Sequence, residues 1–269
     1  MNDSSRTKPD LPIFAEERRA KILETLREHG RMEVLALAQL FGVSEHTIRR
    51  DLKQLDAQGE LQKTHGGAVV LDSARLGFES RSTLLRSKKD AIAKIAATLI
   101  EPGETLMLDA GSTTLALARA LSARPLSVVT NSLDIALVFE RDPAVQLVLT
   151  GGTWQLHARA LTGAVTRELI AACRADVAVI GACALDERAG VTGSDEDDAA
   201  VKRAMVANAS RTIVLADHSK HSAVAPFHIA SWRQVHTLVT DVAWSRLAQS
   251  GVKIRIASER AAARRVKPP

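Results

Sequence analysis

The chain has 269 residues, of which 46% are hydrophobic and 25% charged, ordinary values for a globular protein of one or two domains. No apolar run reaches the ~18 residues of a membrane span, and the polar first 14 residues lack the apolar core of a secretory signal, so a cytoplasmic protein with no membrane partner is expected. The net charge of +5 does not by itself indicate nucleic acid: six of the 36 basic residues and one of the 31 acids fall from Lys253 onward, leaving 30 of each in the rest.

Residues 1–14 read as a disordered leader. From Glu16 a helical period sets in, with Ile22, Leu23 and Leu26 on one face and Gly30 as its stop. A second helix is predicted over 33–41, with Val34, Leu37, Ala38 and Phe41 inward, and a tight turn at 42–44. Ser44 is a good N-cap for a third helix over 45–57, whose Ile48, Leu52 and Leu55 share the buried face. Residues 60–70 contain the Gly66-Gly67 turn signal and read as a short β-hairpin. Together, 15–70 form a winged helix-turn-helix unit. Residues 71–89 lose clean periodicity and read as a linker.

Across 90–257, apolar strands alternate with amphipathic helices. The strands are expected at 105–109, 126–130, 145–150, 176–181, 212–217, 236–241 and 252–257. The helices are expected at 113–121, 133–141, 165–173, 197–209 and 242–249. This alternation predicts an α/β fold, in which a mostly parallel sheet is covered by helices on both faces. Residues 258–269 read as a basic disordered tail. Cys173 and Cys183 sit in apolar stretches and read as buried free thiols. The eight histidines do not cluster at ligand spacing, so neither a metal nor any other cofactor is expected.

In a helix-turn-helix the second helix braces the third so that its outer face enters the major groove. Burying Ile48, Leu52 and Leu55 turns Ser44, Glu45, His46, Thr47, Arg49, Arg50 and Lys53 outward. Arg reads guanine edges bidentately, and hydroxyls and cations hold phosphates. The hairpin adds Lys63, His65 and Gly66 as a wing. Residues 44–67 carry four basic and four acidic side chains, so DNA binding requires the helix to segregate its charges. Asp51 either orients the neighbouring arginines or lies on the back face.

In the larger unit several strands end in small polar residues. Asp109, Gly111, Ser112, Thr113 and Thr114 lead from a strand into a helix, an arrangement that favours anions through outward N–H groups and the helix dipole. Asn131, Gly152 and Asp217 follow other strands. Lys202 and Lys220 are suited either to neutralise a phosphate or to pair with a carboxylate. Ligands of open α/β sheets bind at such carboxyl ends.

The stretches EERRAKILETLREHG (16–30), VSEHTIRRDLKQLDAQG (43–59) and HGGAV (65–69) resemble the DNA-binding domain of DeoR-family bacterial regulators. The resemblance gives operator contacts to Thr47, Arg49 and Arg50. The ordered set DAGSTT, VVTNS, LTGG, VIGAC, DEDDAAVKRAM and VLADHSK resembles the effector domain of the same family, whose fold is similar to ribose-5-phosphate isomerase. It implies a repressor of a sugar or polyol operon, released from double-stranded operator DNA by a phosphorylated sugar-like effector. That effector would be held by Asp109, Gly111, Ser112, Thr113, Thr114, Asn131, Gly152, Lys202, Asp217 and Lys220. The chain departs from the family pattern at His221-Ser222, where Phe-Gly is usual, and in its strongly acidic stretch 195–198. A homodimer or homotetramer is expected, because such heads read paired half-sites. The alternative is a sugar-phosphate isomerase-like enzyme with an appended head, for which Asp109, Asp186, Asp217 and His218 would have to supply acid–base chemistry.

Overall fold

The computed structural model describes residues 14–29, 31–57, 61–64, 66–70, 78–247 and 251–257. The leader expected over residues 1–14, apart from Phe14, and the tail expected over 258–269 lie outside the described residues. The chain divides into two compact units, Met1–Leu71 and Asp72–Pro269.

The first unit contains α1 (Ala15–His29), β1 (Arg31–Glu33), α2 (Val34–Phe41), α3 (Glu45–Ala57), β2 (Leu61–Lys63) and β3 (Gly67–Val70). Its core is small: Ile22 and Leu26 of α1 meet Val34 and Leu37 of α2, Ile48, Leu52 and Leu55 of α3, and Leu61 and Ala68 of the hairpin. Each Ile, Leu or Val side chain among them contributes roughly 1.5–3 kcal/mol on burial. Gly42 ends α2 in the left-handed conformation (φ 63°), and its N–H closes back on Ala38 and Gln39. The hairpin is not alone: β1 pairs with β3, making a three-stranded sheet in the order β1-β3-β2. At that junction a Cβ on Gly67 would stand 2.1 Å from the Met32 carbonyl oxygen, so only glycine fits.

The second unit begins with α4 (Phe78–Thr83) and α5 (Arg86–Ala97). Both lie in or across the stretch predicted as linker, which is therefore shorter than expected. Phe78 and Ile92 are buried in the core, which is why the segment is ordered. The chain continues through β4 (Thr105–Leu108), α6 (Ser112–Ala120), β5 (Leu126–Thr130), α7 (Leu133–Phe139), β6 (Val145–Leu149), β7 (Thr153–Gln155), β8 (Ala160–Thr162), α8 (Ala164–Ala172) and β9 (Ala175–Gly181). Then come β10 (Ala184–Asp186), β11 (Gly190–Gly193), α9 (Glu196–Ala207), β12 (Ala209–Leu215), β13 (Phe227–Ala230), β14 (Thr237–Thr240) and β15 (Lys253–Ile256).

Seven of these strands form one parallel sheet, in the order β15-β14-β12-β9-β4-β5-β6. They are the seven strands expected from the sequence. Alternation along each strand separates two apolar layers. Leu106, Leu108, Val177, Val179, Ile213 and Leu215 face α5, α6 and α7, whereas Met107, Ala178, Ile180 and Val214 face α8 and α9. Helices on both faces are what an all-parallel sheet requires. The antiparallel pair β7–β8 and the small sheet β10-β11-β13 are additions that the sequence pattern did not reveal. The helix expected at 242–249 is instead a short 3-10 turn at Ser245–Leu247 among the described residues. Cys173 and Cys183 are free, but half-buried rather than buried. Among the described residues no helix is long and apolar enough to cross a membrane.

Candidate functional site

Two sites follow from these elements, one in each unit. In the first unit, α3 segregates its side chains sharply. Ile48, Asp51, Leu52 and Leu55 are buried, whereas Glu45, His46, Arg49, Arg50 and Lys53 are exposed. Ser44 starts the helix: its hydroxyl accepts the Thr47 N–H at 3.2 Å and lies 3.0 Å from the Thr47 hydroxyl. Arg49 reaches back to Glu45 at 2.9 Å, an exposed (i, i+4) pair that orients the arginine and adds little stability. Arg50 makes no ion pair among the described residues. Lys63 and Gly66 are exposed on the hairpin, and the Lys63 N–H donates to Asp56 at 3.0 Å, which fixes the wing to α3. His65 lies outside the described residues.

Asp51 resolves the alternatives left open by sequence. It is 1% exposed, and its carboxylate takes the Arg18 guanidinium of α1 at 2.7 Å, with Arg19 at 3.6 Å. It therefore clamps α1 to α3 and does not orient the outward arginines.

The second site lies where the strand order reverses. The chain enters the sheet at β4, runs outward to β6, and returns on the other side of β4 through β9. Such a switch point opens a crevice at the carboxyl ends of the strands. Here it is a cavity of about 170 Å³, below the ~300–1,000 Å³ of drug-sized pockets, which limits an occupant to a small metabolite. Asp109, Gly111, Ser112, Thr113 and Thr114 line it from the end of β4 and the start of α6, joined by Lys202, Asp217 and Lys220. The N-cap of α6 is Gly111, with no side chain closing the first turn. That turn keeps its orphan N–H groups at the cleft, where the helix dipole favours an anion.

Two charge clusters line the cavity. In one, Asp109 is wholly buried and accepts the Gly181 N–H at 3.0 Å, while its other oxygen lies 3.2 Å from the Lys202 ammonium without a well-aligned hydrogen bond. Lys202 also donates to both oxygens of Asp198. Burial pushes the Asp109 carboxyl up to about 6; Lys202 opposes the rise and Asp198 adds to it. Burial disfavours the charge on Lys202, but Asp109 and Asp198 outweigh it and hold the ammonium above its ordinary range.

The other cluster is cationic. Lys89 of α5 donates to the carbonyls of Arg81 and Leu84, the latter at 2.8 Å, and so ties α4 to α5. Burial lowers the Lys89 ammonium to about 8; Asp217 opposes the fall, and Lys220 and Arg81 add to it. The Arg81 Nε is buried with no hydrogen-bond partner. Sequence reasoning missed Arg81, Lys89 and Asp198. The first two were hidden by the linker assignment, and Asp198 was one of four adjacent acids with nothing to single it out.

Two expected residues lie outside the cavity lining. Asn131 is buried between loops, where it accepts the Ala110 N–H and donates to the Leu161 carbonyl, both at 3.0 Å, and so braces the β4 loop. Gly152 (φ 132°) permits a close turn, since a Cβ there would lie 2.1 Å from the Thr166 hydroxyl. His221 also points elsewhere: it stacks on Trp244 at 4.7 Å and bonds the Thr240 hydroxyl at 3.0 Å, while Ser222 takes the left-handed conformation (φ 56°) where glycine is usual.

Comparison with known proteins agrees with this division. The DeoR-like helix-turn-helix domain model matches residues 18–74, and the DeoR C terminal sensor domain model matches residues 85–242. The HTH-type transcriptional repressor GlcR of Bacillus subtilis (strain 168) is 33% identical over 85% of this chain and 89% of its own length. The HTH-type transcriptional regulator GolR of Listeria innocua serovar 6a is 31% identical over 91% of this chain and 100% of its own. Among solved structures, ribose 5-phosphate isomerase A from Methanocaldococcus jannaschii aligns at a TM-score of 0.38 and 19% identity, over 51% of this chain and 54% of that one.

Proposed function

The chain belongs to the DeoR family of transcriptional regulators, and from that premise we propose that its sensor cleft binds a small phosphorylated sugar whose binding lowers the affinity of the head for operator DNA. As a member of that family it is a DNA-binding regulator of repressor type and not an isomerase-like enzyme. The observation that carries the effector reading is the pairing, in one small cavity, of an uncapped helix N-terminus and the cations Arg81, Lys89 and Lys220 with the Asp109–Lys202–Asp198 cluster. The cationic side suits a phosphate, and the carboxylates suit sugar hydroxyls.

In the head, the exposed side chains of Glu45, His46, Arg49, Arg50 and Lys53 face the DNA, with Ser44, Thr47, Lys63 and Gly66 on the phosphates. The active species is a homodimer or homotetramer that reads paired half-sites, and it acts in the cytoplasm, where the operator is. Control is a population shift: the effector favours the weakly binding state by its differential affinity for the two.

Isothermal titration calorimetry tests the cleft directly. Ribose 5-phosphate, fructose 1-phosphate and glucose 6-phosphate are each titrated beside the unphosphorylated sugar. Saturable binding of at least one phosphate ester, absent for its parent sugar, is expected. Equal binding of ester and parent sugar would overturn the phosphate reading.

A further inference from the structure

The β7–β8 hairpin supplies Gln155, His157 and Ala158 to the effector cavity, and α4 supplies Arg81. Neither element belongs to the parallel sheet. Among the described residues the two hairpin strands pair only with each other, and a lone two-stranded hairpin is marginally stable in water. Main-chain bonds tie it at two points: the Leu161 N–H donates to the Asn131 carbonyl at 2.8 Å, and the His157 carbonyl accepts the Phe78 N–H of α4 at 3.0 Å. In the turn between its strands stands Arg159, in the left-handed conformation (φ 54°). A residue with a Cβ is strained there, and such strain persists only where the surroundings over-determine it.

The side chain of Arg159 supplies that determination. Its guanidinium donates to both oxygens of Asp134, in the first turn of α7, at 2.8 Å each. It also lies 5.7 Å from the ring centre of Phe78 and 5.9 Å from that of Trp154. One side chain thus joins the hairpin, α4 and α7. The two-pronged geometry makes the ion pair stiffer than an ordinary surface pair, and Phe78 carries the join into the apolar core. Neither Arg159 nor Asp134 lines the cavity.

We propose that Arg159 is a positioning residue of the sensor, which locks the β7–β8 hairpin and α4 into one wall of the effector cleft and so holds Gln155, His157 and Arg81 where a ligand meets them. Without it the wall is loose while the seven-stranded sheet and the strand-end residues stay in place. A ligand must then order the wall as it binds, and affinity falls accordingly. The consequence for affinity rests on the effector reading of the cleft; the lock does not.

The test compares the full chain with R159M, D134N, R159M/D134N and the control R141M, whose side chain is 91% exposed. Hydrogen exchange followed by mass spectrometry, with no ligand added, reads the lock. In R159M, peptides covering 153–162 and 78–83 are expected to exchange about fivefold faster or more, with peptides of β4 and β9 unchanged. Wild-type rates in the hairpin would overturn the proposal. So would an equal rise across the sheet, since a merely destabilised unit opens everywhere. Calorimetry with ribose 5-phosphate, fructose 1-phosphate and glucose 6-phosphate reads the consequence. An ester that binds the wild type should bind R159M about tenfold more weakly, and the double variant no more weakly than R159M, because D134N breaks the same interaction. R141M should match the wild type in both measurements. Additive losses, or wild-type affinity in R159M despite faster exchange, would overturn the positioning role. If the wild type bound none of the three esters, the effector reading of the cleft would fall, and the exchange comparison would still decide the lock.

Discussion

Replacing Asp51 with Ala removes the carboxylate that joins α1 to α3 and leaves the 6%-exposed Arg18 without it. Breaking a buried pair by deleting one partner costs ~3–5 kcal/mol. Arg19, the second partner, keeps 20% of its side chain exposed, so the lower end, about 3 kcal/mol, applies. That is a large share of the roughly 5–15 kcal/mol available to any domain, and the head's core holds ten buried residues among those described. For a unit of this size it corresponds to a fall of at least about 12 °C in melting temperature. The two units can be followed separately, because Trp154, Trp232 and Trp244 all lie in the sensor unit and the chain has no tyrosine. Far-UV circular dichroism of D51A should therefore show an early, head-sized transition while the tryptophan transition stays in place. Operator binding should be lost at temperatures above the early transition, with sugar-phosphate binding retained. A double replacement, R18M/D51L, should recover most of the stability, since well-packed apolar residues commonly match a buried ion pair. The clamp reasoning is refuted if D51A shifts the head transition by less than about 1 kcal/mol, or if the tryptophan transition moves with it.

Three further outcomes are expected. Because burial lowers the Lys89 ammonium to about 8, its charged form is lost as pH rises through that value; effector affinity should weaken between pH 7 and 9, and calorimetry on K89M should show no such added pH dependence. Asp109, pushed up to about 6, holds its proton more tightly folded than unfolded, so its contribution to stability is present at about pH 4 and is lost as pH rises toward 6. The stability of D109N relative to wild type, from urea melts followed by tryptophan fluorescence, should accordingly gain up to about 3 kcal/mol over that window, and a gap that stays constant would contradict the assignment. Gly67→Ala should destabilise the head and abolish operator binding, since its Cβ meets the Met32 oxygen, whereas Gly66→Ala, with open space around its Cβ, should leave the head transition unmoved.

The helix-turn-helix was legible because Ile48, Leu52 and Leu55 repeat at helical spacing next to a Ser cap, and a buried stripe of that kind has few other uses. The seven parallel strands were legible as apolar runs of four to seven residues. Shorter elements were not. The strand Arg31–Glu33 is three residues long, and its Glu33 fell in the helix predicted over 33–41. The antiparallel strands β7, β8 and β10 are also three residues each, too short for alternation to stand out. The helices at 78–97 were hidden because residues 71–89 show no clean apolar period, and the burial of Phe78 and Lys89 is decided by tertiary packing. In the cleft, the residues attached to a strand end were foreseeable, as with Asp109 and Ser112. Asn131 and Gly152 fall outside the cavity lining, since a polar residue or glycine after a strand serves loop bracing as readily as ligand contact. Distinguishing the two requires the partner atoms, here the Ala110 N–H and the Thr166 hydroxyl.

Ligand-controlled DNA binding is tested most directly by fluorescence anisotropy on the duplex upstream of the protein's own gene, at fixed salt, with and without the sugar phosphate that calorimetry identifies. Saturable binding that resists competitor DNA and weakens on adding the phosphate ester, in the wild type but not in K202M, is the expected result. Specific binding that no phosphate ester changes, despite measured occupancy of the cleft, would contradict the coupling of the two units.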